Sequence, residues 1–71
     1  MDKAFNNIRA ELARNKMTIE DLANYLGIER KTFYNWELKG DFPAKYIKPM
    51  AQRFKVSADY ILGMDSDTNG D

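Results

Sequence analysis

Apolar side chains recur at helical intervals in successive short stretches of this chain, and no run shows the two-residue alternation of a strand. Phe5, Ile8 and Leu12 share one helical face, and so do Ile47, Met50, Ala51 and Phe54 at i, i+3, i+4 and i+7. Between them, Leu22, Ala23 and Leu26 mark a second helix, and Phe33 with Trp36 a third. The pattern predicts an all-α chain of short helices divided by clear stop signals.

Those signals set the expected boundaries. The first helix runs from about Lys3 to Asn15 with Asp2 as its N-cap, and Lys16-Met17 turns the chain. Thr18-Ile19-Glu20-Asp21 has the form of a capping box, with Asp in place of the usual Glu. Met17 and Leu22 stand where a hydrophobic staple closes, and Gly27 supplies the left-handed residue that stops the second helix. The third helix spans Glu29 to about Leu38, followed by the turn Lys39-Gly40-Asp41-Phe42-Pro43. The fourth starts near Tyr46, which leaves Pro49 in a first turn where its missing N–H is harmless. Val56-Ser57 repeats the apolar-then-cap signal before a last helix, Ala58 to Leu62, which Gly63 ends. Residues 1–64 are expected to form one domain, and 65–71 an acidic flexible tail or the start of a linker.

Composition narrows the function. With neither His nor Cys among 71 residues, the usual zinc sites, disulfides, histidine triads and cysteine nucleophiles are excluded. No nucleophile–base pair, metal set or phosphate loop is present, so the chain is expected to be no enzyme and to need no cofactor. No apolar run approaches the roughly 18 residues of a membrane span, and no signal peptide is visible; the expected location is cytoplasmic. Nine aromatic residues fill one small core but hardly a deep ligand pocket as well, and no small-molecule substrate is evident.

The net charge of zero hides a strong local imbalance. Residues 30–55 carry seven basic side chains against Glu37 and Asp41, a net +5, while residues 56–71 carry only acids, a net −4. Local charge decides whether a polyanion can be met. The basic segment contains the third helix. If Phe33 and Trp36 face inward there, Arg30, Lys31, Tyr34, Asn35 and Leu38 must face outward. The neighbouring acids Glu20 and Asp21 point in different directions within a first turn, where carboxylates complement the helix dipole, and do not form a catalytic pair.

Three blocks, Thr18-x-x-Asp21-Leu22-Ala23-x-x-Leu26-Gly27-Ile28, Thr32-Phe33-x-Asn35-Trp36-Glu37 and Val56-Ser57-x-Asp59-Tyr60-Ile61-Leu62-Gly63, resemble the helix-turn-helix domain of phage repressors and Cro-like regulators of the xenobiotic-response-element type. The resemblance covers residues 5–63. It implies a compact five-helix bundle, of the lambda-repressor-like kind, whose third helix enters the major groove of double-stranded DNA. Carried over by position, it implies base contacts from Arg30, Lys31, Tyr34 and Asn35. The chemistry agrees, since Arg or Lys donates to guanine O6/N7 and Asn bonds bidentately to adenine. Backbone contacts are expected from Thr18 at the start of the second helix and from Lys16, Lys39 and Lys45 in turns. The expected function is transcriptional repression through an inverted-repeat operator bound by a homodimer. Tyr60, Ile61 and Met64 are either core or the seam of that dimer.

Three positions depart from the family's habits. Ile19 stands where Gln usually braces the recognition helix and touches phosphate, and Glu29 stands where Ser or Thr usually caps. Leu12 and Ala13 occupy the region of an arginine that usually pairs with the glutamate after the tryptophan position, leaving Arg9 or Arg14 as partner for Glu37. Ile19, the zero net charge and the acidic tail also suit a second class, an antitoxin or adaptor that binds another protein.

Overall fold

The computed structural model describes residues 3–64, and the expected Asp2 cap and acidic tail lie outside the described residues. Among the described residues there are five α-helices: α1 (Lys3–Arg14), α2 (Ile19–Leu26), α3 (Arg30–Lys39), α4 (Ile47–Phe54) and α5 (Ala58–Ile61). A 3₁₀ turn, Ala44–Tyr46, leads into α4, so Pro49 falls in its first turn as the sequence requires. No strand occurs among the described residues.

Every one of these helices ends in the same way. One or two residues past each C-terminus the backbone turns left-handed: at Lys16, Gly27, Gly40, Lys55 and Gly63, with φ between 56° and 76°. The amide after it donates back to a carbonyl in the last turn, as in Met17 N to Leu12 O at 2.8 Å, Ile28 N to Ala23 O at 3.0 Å and Val56 N to Ala51 O at 3.0 Å. This is the Schellman arrangement, which satisfies carbonyls that the helix leaves open. In three turns the next residue is apolar and the one after it opens a helix: Lys16-Met17-Thr18, Gly27-Ile28-Glu29 and Lys55-Val56-Ser57. Met17, Ile28 and Val56 all pack against the core. One short unit therefore stops a helix, anchors the corner and starts the next helix in a new direction.

The helix starts differ in quality. Thr18 and Asp21 form the complete capping box, with the Thr18 hydroxyl accepting from Asp21 N at 3.0 Å and Asp21 Oδ2 accepting from Thr18 N at 2.9 Å. Ser57 Oγ accepts from Tyr60 N at 3.1 Å. Glu29 has the extended backbone of an N-cap (φ −84°, ψ 153°), but its side chain makes no capping bond. The third helix thus starts one residue later than expected, at Arg30, and Glu is one methylene too long to do what Ser, Thr or Asp does there.

The core joins all five helices: Phe5, Ile8 and Leu12 from α1, Leu22 from α2, Phe33 and Trp36 from α3, Met50 and Phe54 from α4, and Ile61 from α5. Its centre is aromatic. Phe5 meets Phe33 and Phe42 edge-on, each at 5.7 Å, and Trp36 lies 5.0 Å from Tyr46. These edge contacts add to the burial of large apolar rings and fix how α3 sits against α1. Leu26 and Ile28 are half-buried around this centre rather than sealed within it. Ile61 is fully buried in its own protomer, so of the two alternatives, core or dimer seam, the core holds for this residue and its place in a seam is corrected.

Glu11 is buried, and Arg14 satisfies it at 2.6 Å while also donating to the Phe54 carbonyl at 3.4 Å. That bridge fastens α1 to the end of α4, and Asn7 Nδ2 donating to Tyr60 O at 2.8 Å fastens it to α5.

Two substitutions test the helix stops. A Cβ at Gly63 would lie 2.7 Å from the Ala4 backbone nitrogen, and φ is +76° there. Gly63→Ala is therefore expected to lower unfolding free energy by about 3 kcal/mol, combining left-handed strain with a backbone clash. Lys55 already bears the left-handed strain at φ 60°. Lys55→Gly is expected to raise stability by about 1 kcal/mol in urea titration, and no gain would show that the conformation is unstrained.

Candidate nucleic-acid interface

Helices α2 and α3 are joined through Gly27, whose φ of 75° lets its amide and that of Ile28 close on the last turn of α2. Ala23, buried at the inner side of α2, leaves room for close approach of the two helices. With Phe33 and Trp36 buried, the opposite stripe of α3 is turned to solvent. Arg30, Lys31, Tyr34, Asn35 and Leu38 are all exposed, Leu38 at 86%. Arg30, Tyr34 and Leu38 follow one another at i, i+4 and i+8, with Lys31 and Asn35 beside them, so the five make a continuous ridge.

The ridge borders a groove of about 480 Å³ between α1, the start of α2 and α3, lined among others by Arg9, Thr18, Ile19, Glu20, Arg30 and Tyr34. Thr18 is exposed at its mouth. The hydroxyl oxygen of Thr18 accepts within the capping box, which leaves its hydrogen to donate outward, whereas its backbone N–H is occupied by Asp21. Lys16 stands two residues earlier at the left-handed corner, and Lys39 and Lys45 are exposed beyond the far end of α3. Lys45 Nζ lies 5.3 Å from the centre of the Tyr46 ring, which holds it near the surface as a cation over an aromatic face. The structure therefore brings Arg30, Lys31, Tyr34, Asn35 and Leu38 onto one ridge and leaves Lys16, Lys39 and Lys45 exposed to solvent.

Side chains that the spacing of motifs does not reveal also shape the face. Arg9, a full turn before the position where the family keeps its arginine, forms a bidentate pair with Glu37: Nε to Oε2 at 2.6 Å and Nη2 to Oε1 at 2.7 Å. The bond to Glu37 raises the guanidinium pKa further above its already high ordinary value. Arg14, the other candidate, is held by Glu11 instead. The pair ties α1 to α3 directly behind the ridge. Ile19 is half-buried against the core and lines the groove, so it braces α2 through packing rather than through a hydrogen bond.

On α5, Tyr60 is half-buried, and burial followed by the neighbouring Glu11 carboxylate pushes its phenol above the ordinary value. Met64 is 71% exposed, and Leu62, which the sequence reading assigned only to a helix end, is 39% exposed beside it. Leu62 and Leu38 line one shallow depression with Lys3, Lys39 and Gly40.

An α2–glycine corner–α3 unit packed on three further helices, with a polar, partly basic ridge on its second helix, defines a helix-turn-helix DNA-binding domain. The bacteriophage CI repressor helix-turn-helix domain matches over residues 9–68, and the chain belongs to that family. It is a DNA-binding regulator of repressor type. Comparison with curated proteins and with solved structures found no match. No described helix is long and apolar enough to cross a membrane.

The clamp behind the ridge can be measured. A double-mutant cycle on Arg9→Met and Glu37→Gln is expected to give a coupling of about 0.5–1 kcal/mol, falling with added salt because Arg9 is half exposed. Additive single effects would show that the pair does not hold α3.

Proposed function

We propose that this domain represses transcription by occupying an operator as a homodimer and excluding polymerase. The observation that carries the reading is the exposed ridge of Arg30, Tyr34, Lys31 and Asn35 on the helix that follows the Gly27 corner. Arg30 and Lys31 donate to guanine, Asn35 pairs with adenine, and the Tyr34 ring or Leu38 meets a thymine methyl. Thr18, Lys16, Lys39 and Lys45 hold phosphates and set the register, with the free amides at the start of α2 adding the helix dipole.

Two copies facing an inverted repeat place half-site centres about 34 Å apart, one turn of the duplex. Tyr60 and Met64, with the exposed Leu62, form the seam between them. Residues 1–64 are the reading unit, and the acidic residues 65–71 are a tail or the start of a linker. The place of action is the cytoplasm of a bacterial cell, where the DNA is.

Selecting bound sequences from a random duplex pool tests the whole reading, and a two-fold symmetric motif is the expected recovery. On that motif, Arg30→Ala is expected to lose about 1–3 kcal/mol of discrimination at one base pair. Lys45→Ala is expected to weaken all sequences alike and to reduce the salt slope by about 0.9. Equal losses on selected and random duplexes for Arg30→Ala would remove its assigned role. A stable protein partner on purification, with no salt-sensitive DNA retention, would favour an adaptor instead.

A further inference from the structure

Each cation at the start of the reading helix stands beside a carboxylate. Arg30 Nη1 lies 3.8 Å from Glu20 Oε1, across from α3 to α2, and Lys31 Nζ lies 3.9 Å from Glu29 Oε1. All four side chains are more than half exposed, between 61% and 83%. Pairs this open contribute little to folding. Neither acid makes a capping bond: Glu29 leaves α3 uncapped by its side chain, and the capping box of α2 is completed by Asp21, so that Glu20 adds only a first-turn charge to the helix dipole. By contrast, among the described residues Lys16, Lys39 and Lys45 have no carboxylate within ion-pair distance. The rim of the face is basic and free, while its reading edge is locally neutralised.

We propose that Glu20 and Glu29 are specificity-determining residues that suppress binding held by phosphates alone. The inference rests on the DNA-reading geometry proposed above and concerns its selectivity. A phosphate that approaches Arg30 or Lys31 must displace a carboxylate and then stay within a few ångströms of it, like charge against like charge. A base edge imposes no such penalty. Guanine O6 and N7 are neutral acceptors for the freed cation, and a cytosine N4 amine is a donor that either carboxylate can accept from. The same two acids therefore lower affinity for any duplex backbone and leave the matched site largely untouched, which widens the ratio between them.

The test compares wild type with Glu20→Gln, Glu29→Gln and the double variant. Asp59→Asn on α5 is the control for the one-unit change in net charge that each single variant makes, placed off the ridge. Thermal melting verifies the fold of each. Two labelled probes are titrated between about 50 and 200 mM salt, a duplex of randomised sequence and the duplex recovered by selection. The double variant is expected to bind the randomised duplex about tenfold more tightly, with a steeper salt slope, while affinity for the selected duplex changes less than about twofold. The control is expected to change neither. Equal gains on both probes, or none on either, would overturn the proposal with the DNA-reading function intact. Absence of salt-sensitive binding by the wild type would instead remove that function, and the inference with it.

Discussion

A left-handed residue followed by an apolar one is the constraint on which this small domain depends. Helices this short are not stable alone, because nucleation is costly and few backbone bonds repay it. At each stop the chain must satisfy open carbonyls and change direction within two or three residues. The corner at Gly27 does both: its positive φ aims the amides of Gly27 and Ile28 at the last turn of α2 while Ile28 drops toward the core. The angle between α2 and α3 is set there, and with it which side chains of α3 remain outside.

Packing then decides the register of α3. Phe33 is completely buried and Trp36 nearly so, locked by Phe5 of α1 and by Phe42 and Tyr46 of the turn that follows. Rotating α3 enough to change its outward ridge would pull a ring out of this cluster. The Arg9–Glu37 pair adds a directional bond to the same helix from behind. The ridge is thus held in place by residues outside it, and a binding surface gains selectivity from being held before its partner arrives.

Much of this was legible in the sequence, for reasons specific to particular residues. Gly27 and Gly63 announce left-handed stops because glycine alone takes that conformation freely, and Thr18 with Asp21 announces a start. Lys16 and Lys55 do the work of glycine at two other stops and give no such sign, since nothing in a lysine marks positive φ. The partner of Glu37 stayed open between Arg9 and Arg14 because helical spacing admits both, and only the buried Glu11 removes Arg14 from contention. Ile61 stayed open between core and seam on a related ground, and the structure makes it core. A four-residue helix shows too little of the periodicity that separates an inner from an outer face, and the apolar surface left over belongs to Leu62 and Met64.

Charge shows the same division between total and place. A chain with equal numbers of acids and bases would be dismissed as a polyanion binder on its sum alone. Among the described residues, Lys16, Lys39 and Lys45 are exposed with no carboxylate in ion-pair distance, while the cations Arg30 and Lys31 of the ridge are matched by Glu20 and Glu29. A uniformly basic face would gain affinity for every duplex and lose the difference between right and wrong sequences. On the DNA-reading geometry proposed above, separating a basic rim from a neutralised edge assigns attraction to the backbone contacts and discrimination to the base contacts. In a domain too small to add contact area, that separation is a physical route to selectivity that requires no additional surface.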